Sequence, residues 1–401
     1  MDTIPFARPF IGKEEEEAVI AVLRSGWITT GKETLEFEKE FAKFLANTGS
    51  GKNQELFCMA VNSATSGLHL ALEACGVKYG GLVLLPSLTF AATAEVVRYF
   101  GAEPVFVDVT KGGFHLDPAA LKETLERLDR GNSAYLRGGP KGRATALMPV
   151  HYGGMVCDMN AINPIAEKYG LKIIEDAAHS FPLFAGITGD VGVFSFYATK
   201  TITTGEGGMV VTKDKKIADR IKIMRSHGID RSIWDRYTKT SASWYYEVVE
   251  AGFKYNIPDI LSALGRVQLR RAMDLLAMRK NLASLYDEAF KDSEHLILPP
   301  TNLSDARHLY PIRLRLEKLS IGRDEFAEKM QEQGIGISVH FIPLHTMPYY
   351  KKLYSLNDDD FPQTLDTYRR SISLPLWPGM TEAQVKRVIT VVKNLCSDYN
   401  I

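Results

Sequence analysis

The stretch KIIEDAAHSFPLFAGITGDVGVFSFYATKTITTGEGGMVVT, residues 172–212, carries three short β-rich runs: KIIEDAA, VGVFSFYA and GGMVVT. The first reaches a carboxylate, Asp176, and the second passes through alternating aromatics to Lys200, just ahead of a glycine-rich turn. Upstream, FCMAVNSA, GLVLLPS, PVFVDV and ATALMPVHY read as further strands. Several of these runs are apolar nearly throughout, as expected when both faces of a parallel sheet are covered. Amphipathic stretches such as SGLHLALEACG, AATAEVVRYFGA, DPAALKETLERLDR and DMNAINPIAEKYG lie between the earlier runs. This β-α-β rhythm over residues 57–212 predicts an α/β fold with a mostly parallel seven-stranded sheet and helices on both faces. In open sheets of this kind ligands gather at the C-terminal strand edge.

Beyond residue 212 the pattern changes. Pro258 to about Lys291 reads as one or two long helices, and HLYPIRLRL then opens a second, smaller α/β set. We therefore expect a large domain over residues 1–272 and a small C-terminal domain over 273–401, with a cleft between them. RGNSAYLRGGPKGRA, residues 130–144, reads as a surface loop.

The 401 residues are 45% hydrophobic and 24% charged, with 48 basic against 48 acidic side chains. Such a chain has no net field to draw nucleic acid or an anionic membrane. Its four cysteines, Cys58, Cys75, Cys157 and Cys396, form no C-x-x-C pair and no zinc spacing, so no metal is expected and a reduced, cytoplasmic protein is. No apolar run has the length of a membrane span and no leader-like segment opens the chain.

GWITTGK, residues 26–32, matches the G-x-x-x-x-G-K of a phosphate-binding loop. Glu33 stands where a metal-binding hydroxyl belongs, and KEEEEAVIAVLRS before it has helical rather than strand periodicity. A helix C-cap followed by a turn is the better reading.

A lysine beside a turn is ordinarily a solvated surface residue. Asp176 changes that expectation, because it ends a neighbouring strand at the ligand-binding edge, although such an acid can also cap a helix. A lysine that can bond to an aldehyde, with a carboxylate that can pair with a pyridinium nitrogen, is the combination pyridoxal phosphate (PLP) requires. The phosphate also needs a site. NSATSGLHLAL, residues 62–72, passes from strand to helix through Ala64 and Thr65, where N–H groups at a helix start and a hydroxyl can meet a dianion. Ser195 offers another hydroxyl, or is simply a small strand residue.

RSGWITTG, NSATSGLHLAL, PSLTFAATAEVVRYFGAEPVFVDV, PVHYGG, IIEDAAHS, FSFYATKTITTGEGGMVVT, RSHG, GFKYNIPDILSALGRVQL and ISVHFIPLH stand in the order and spacing of one family. The chain resembles the sugar-nucleotide aminotransferases of the DegT family over nearly its whole length. That resemblance implies the PLP-dependent transferase fold type I and amino transfer from L-glutamate to a nucleotide-linked keto-sugar, by preference a 4-keto-6-deoxy sugar. The products of such reactions enter surface polysaccharides or glycosylated metabolites.

The resemblance also implies roles at particular positions. Lys200 matches the lysine bonded to the cofactor, and Asp176 the partner of the ring nitrogen. Phe90 matches the aromatic that stacks on the ring, though by itself it reads as a core residue. His179 falls where a hydrogen bond to the ring's phenolic oxygen is expected, and Ala64, Thr65 and Ser195 fall at phosphate-binding positions. Lys254 and Asn256, in GFKYN, occupy a loop that in relatives enters the partner's active site, which implies a homodimer with shared sites. His340 borders the expected sugar site, near His345, and Arg225, in RSHG with His227, is a candidate for the substrate diphosphate or simply a helix cap.

Two departures stand out. Only FPLFAGIT remains between DAAHS and GDVGVFSF, where many relatives carry a longer hairpin, and GFKYN replaces the commoner Asn-Tyr-Arg wording. A PLP-dependent sugar dehydratase is the alternative reading, but such relatives replace the lysine with histidine. A non-catalytic regulator of the same fold is disfavoured by the intact Lys200 and Asp176.

Overall fold

The computed structural model describes residues 2–47, 55–129, 142–183, 186–230, 245–300 and 305–401. The loop expected over residues 130–144 lies outside the described residues from 130 to 141, as do Phe184 and Ala185.

Seven strands form the main sheet: β1 (Phe57–Val61), β2 (Leu82–Pro86), β3 (Glu103–Val107), β4 (Ala144–Leu147), β5 (Lys172–Asp176), β6 (Val191–Ser195) and β7 (Gly208–Thr212). Their order is β1-β7-β6-β5-β4-β2-β3. Neighbours from β6 to β3 pair in parallel, and β7 runs antiparallel to both β1 and β6. The C-terminal ends of β1, β2, β5 and β6 therefore share one edge with the start of β7.

The strand alternation sorts side chains between two cores. Met59, Val61, Val193 and Val210 pack with the helices Ala64–Ala74, Ala91–Arg98 and Lys215–Met224. Ala60, Phe194, Phe196 and Met209 face the other way, onto Phe37, Phe41 and Phe181. Phe41 lies 5.4 Å from Phe194 and 5.7 Å from Phe196 in edge-on contacts, a favourable aromatic geometry. Because the two phenylalanines are drawn to this face, Ser195 between them is left to the other. Gly67 allows the helix Ala64–Ala74 to lie close on the sheet, since a Cβ there would come within 2.8 Å of Val193 Cγ1.

A second, antiparallel sheet has the order β10-β9-β8, formed by β8 (Leu296–Ile297), β9 (Tyr310–Leu314) and β10 (Ser371–Leu374). Helices Ala272–Phe290, Arg323–Glu332 and Glu382–Asp398 pack on it. The chain does not divide cleanly between the two sheets. Ile4 is buried in this second core and pairs with the Gly334–Gly336 turn, whereas Tyr350, Tyr354 and Phe361 pack into the main core. These crossings bring residues near 6 and 340 over the edge of the main sheet. No helix among the described residues is long and apolar enough to cross a membrane.

The GWITTGK segment is a helix end and a turn. Gly26, at φ 75°, closes the helix Lys13–Ser25, and its N–H reaches Leu23 O. The next helix, Lys32–Asn47, has its first amides taken by a carboxylate: Asp259 accepts from the N–H groups of Gly31 (2.7 Å), Glu33 (3.1 Å) and Thr34 (3.0 Å) and from Thr34 Oγ1 (2.7 Å). A nucleotide phosphate has no free N–H cluster there. Asp259→Ala orphans these buried donors and is expected to cost about 2–4 kcal/mol in urea unfolding. An unchanged midpoint would show that the cap does not matter to stability.

Candidate active site

Asp176 ends β5 at 6% exposure. Its Oδ2 accepts from Thr93 Oγ1 at 2.8 Å, Thr93 itself lies 2.8 Å from Thr89 Oγ1, and Oδ1 accepts from Ala178 N at 3.2 Å. Burial raises its pKa, against the hydrogen bonds from Thr93 and Ala178 and the charge of Lys200. Behind it, on the opposite face of β5, Glu175 accepts from His151 Nε2 (2.8 Å) and from the amides of Gly186, Thr188 and Gly189 at 3.0, 2.8 and 2.6 Å. Glu175 thus ties down residues 186–189 beside the site.

Lys200 arrives from the end of β6 through a turn closed by its own N–H on Tyr197 O, at 2.9 Å. It is partly exposed, into a cavity of about 440 Å³ that Asp176 also lines. Protein on most sides lowers its pKa to about 8, with Arg279 adding to the shift and Asp176 opposing it. A neutral nucleophilic amine is therefore accessible near physiological pH.

The cavity meets the start of the helix Ala64–Ala74. Ser63 caps it, accepting from Ser66 N at 3.1 Å, and the first backbone bond within the helix is Gly67 N to Ser63 O. That leaves the N–H groups of Ala64 and Thr65 outside the intrahelical ladder. Ala64, Thr65 and Ser195 all line the cavity. Gly208 runs beside them, and a Cβ on it would lie 2.9 Å from Ala64 N. An anion cradle, an amine and a carboxylate thus open on one space, and the residues fit a cofactor bearing a phosphate, an aldehyde and a basic ring nitrogen.

Phe90 also lines the cavity, with 60% of its surface exposed and its ring 5.8 Å from Phe341. The core placement suggested by its isolated sequence context is thus wrong. An exposed phenylalanine at a cavity mouth has a face free for a planar ligand. His179 is buried in the wall, and its Nδ1 accepts from Gly153 N at 3.1 Å, so its proton resides on Nε2. Burial, then Lys200 and His340, hold its pKa well below the ordinary value. His340 lines the cavity with Nδ1 on Ser373 Oγ at 2.9 Å, and burial together with Lys200 lowers it to about 3.

Other predicted residues lie elsewhere. Arg225 does not reach the cavity: its buried guanidinium pairs with Glu38 Oε1 at 2.5 Å and donates to Ala60 O at 2.7 Å. The diphosphate reading is corrected on that ground, since the cation is already neutralised by an acid from the helix Lys32–Asn47. His345 is fully buried on Ser87 Oγ at 2.6 Å. Lys254 and Asn256 lie outside the lining of their own chain's cavity. Lys254 is exposed, and Asn256 Nδ2 donates to Thr30 Oγ1 at 2.6 Å. Residues that sequence reasoning missed include Thr93, Phe6, His308 and Phe341. A β-branched hydroxyl in SLTFAATA was the only hint for Thr93, and the others come from segments remote from Lys200.

A lysine amine, a buried carboxylate and the open amides of a helix start, gathered at the carboxyl edge of this sheet, are the donor set of a pyridoxal-phosphate-dependent transferase. The chain belongs to the DegT/DnrJ/EryC1/StrS aminotransferase family, whose sequence profile matches residues 9–393. It is 38% identical to the spore coat polysaccharide biosynthesis protein SpsC of Bacillus subtilis, over 98% of this chain and 97% of SpsC. Its structure is similar to the PLP form of Spr1654 from Streptococcus pneumoniae, with a TM-score of 0.85, 28% identity and 99% of both chains covered. It is likewise similar to Helicobacter pylori PseC, an aminotransferase involved in pseudoaminic acid biosynthesis, with a TM-score of 0.85, 26% identity, and 99% of this chain and 100% of PseC covered.

The depressed lysine has a measurable consequence. Attack requires the neutral amine, so a group lowered from 10.5 to about 8 gains reactivity as pH rises to that value and no more beyond it. The rate at which cofactor-free protein attaches PLP, followed by absorbance, should rise to about pH 8 and level off. A rate still climbing steeply at pH 10 would contradict the depressed value, as the plateau is set by ionisation of the attacking group.

Proposed function

We propose that this enzyme moves an amino group from L-glutamate to the ketone of a nucleotide-linked sugar, preferably a 4-keto-6-deoxy sugar, for surface polysaccharide or glycosylated metabolites. The observation that carries this reading is Lys200 facing the same cavity as Asp176, with a lysine where dehydratase relatives carry histidine. The relatives support it further: SpsC is a polysaccharide biosynthesis protein and PseC an aminotransferase of pseudoaminic acid biosynthesis.

When bound, pyridoxal phosphate supplies the electron-accepting ring that makes removal of a substrate proton feasible. Asp176 would keep the ring nitrogen protonated, and its buried, raised carboxyl would gain a cationic partner in doing so. Ala64 N–H, Thr65 and Ser195, which line the cavity, would hold the phosphate, Phe90 would cover the ring, and His179, with its proton on Nε2, would donate to the phenolic oxygen. Lys200 would bind the cofactor aldehyde and, as a free amine, would take and return the proton at the amino-bearing carbon, a role suited to an amine near pH 8. His340 contacts the sugar.

The working unit in this reading is a cytoplasmic homodimer in which Lys254 or Asn256 reaches the partner's phosphate site. Each chain divides into a large cofactor domain, 1–272, and a small domain, 273–401.

The test is turnover of a panel of UDP-, dTDP- and GDP-linked keto-sugars with L-glutamate, read as 2-oxoglutarate and amino-sugar formed together. One nucleotide sugar should be aminated; glutamate consumption with none of the panel aminated would reject the acceptor class. Asp176→Ala should lower the rate on the order of 10²–10³-fold while PLP is still bound, the scale of losing one buried electrostatic partner of the transition state. Full activity in that variant would remove Asp176 from the mechanism.

A further inference from the structure

Among the described residues three histidines line the cavity, and beside His179 and His340 the third is His308. It is 5% exposed, and its Nδ1 is buried with no hydrogen-bond partner among the described residues. Its backbone is fixed on both sides: Ala306 N donates to Gly154 O and Leu309 N to Gly153 O, each at 3.0 Å. Arg279 Nη1 donates to His308 O at 3.2 Å. The ring therefore cannot find a partner by a shift of the segment.

The cavity selects the useful tautomer. Nδ1 is unpartnered in either form, so a proton there makes no hydrogen bond, whereas a proton on Nε2 is open to a ligand acceptor. The proton belongs on Nε2, which is not among the buried unpartnered atoms and is the nitrogen left to serve the cavity. His179, whose proton is also on Nε2, lies alongside, with ring centroids 4.5 Å apart. Burial, then His179, Lys200, Arg279 and His340, keep His308 far below its ordinary pKa, so this wall carries neutral N–H donors rather than cations. Apart from Lys200, no lysine or arginine lines the cavity among the described residues. A carboxylate calls for a charged, bidentate partner; a neutral imidazole N–H suits an uncharged oxygen.

His308 also comes from the segment leading into β9, in the second sheet, and shares the cavity wall with His340, Phe341 and Phe6. Asp176, Ser195 and the helix Ala64–Ala74 belong to the main sheet layer. A ligand bound between the two layers meets His308 from the second-sheet side.

We propose that His308 is a substrate-binding residue that donates from Nε2 to an uncharged oxygen of the acceptor sugar, a hydroxyl or the keto oxygen, and so orients the sugar toward Lys200. This rests on the transamination reading above and assigns its second half-reaction a residue of its own.

The experiment compares wild type, His308→Asn and His308→Gln as PLP-loaded proteins, following each half-reaction separately by cofactor absorbance. L-Glutamate drives the first half-reaction, and the UDP-, dTDP- and GDP-linked 4-keto-6-deoxyhexoses drive the second. Glutamine can place an amide N–H near the position of Nε2, whereas asparagine places it near the buried Nδ1. His308→Asn should raise the KM for the keto-sugar about tenfold, the worth of one hydrogen bond, and leave the glutamate half-reaction within about twofold. His308→Gln should recover most of the loss. Equal damage to both half-reactions, equal behaviour of the two variants, or no change in either overturns the proposal. A wild type that reacts with glutamate but with no keto-sugar rejects the acceptor reading itself, and is told apart because it needs no variant.

Discussion

The organisation of this site depends on one buried carboxylate. Asp176 lies at the end of β5 with 6% of its surface exposed, and burial pushes its pKa upward. Thr93 and Ala178 N–H bind it in place, and Lys200 is the positive group facing the same space. A buried acid of this kind is stable as an anion only beside a cation. A protonated ring nitrogen is such a cation, and it is the form in which the ring draws electrons.

The parallel sheet makes the arrangement possible. Strand ends from β1, β2, β5 and β6 converge on one edge, so a helix start, a threonine, a carboxylate and a lysine separated by more than a hundred residues open on one cavity. Phe194 and Phe196 hold β6 in the opposite core, which leaves Ser195 facing the helix start. The second sheet and the N-terminal segment supply the far wall through His308, His340, Phe341 and Phe6. The two sides differ in charge: Asp176, Lys200 and the open amides stand on the first, and the neutral His308 and His340 with Phe341 and Phe6 on the second.

Much of this was legible in the sequence because covered parallel strands leave a strong local mark. Runs such as GLVLLPS and KIIED can be placed without knowing their partners, and the lysine and the acid follow from strand ends. The antiparallel course of β7 was not legible, since GGMVVT reads the same in either direction. Arg225 failed for a related reason: its partner Glu38 is 187 residues away, and no local pattern announces the ion pair. Local context alone reads Phe90 as core, and only the family resemblance marked it as a site residue; the fold has it at the cavity mouth. His308 was invisible because its meaning lies in a missing partner, which only three-dimensional packing reveals.

The central claim is that Lys200 is the covalent anchor opposite Asp176. Its most direct measurement is borohydride reduction of the PLP-loaded protein, followed by proteolysis and mass spectrometry. The account predicts a phosphopyridoxyl mass on the peptide that carries Lys200, and none after Lys200→Ala. A label on another lysine, or a protein that takes up no PLP, would contradict it.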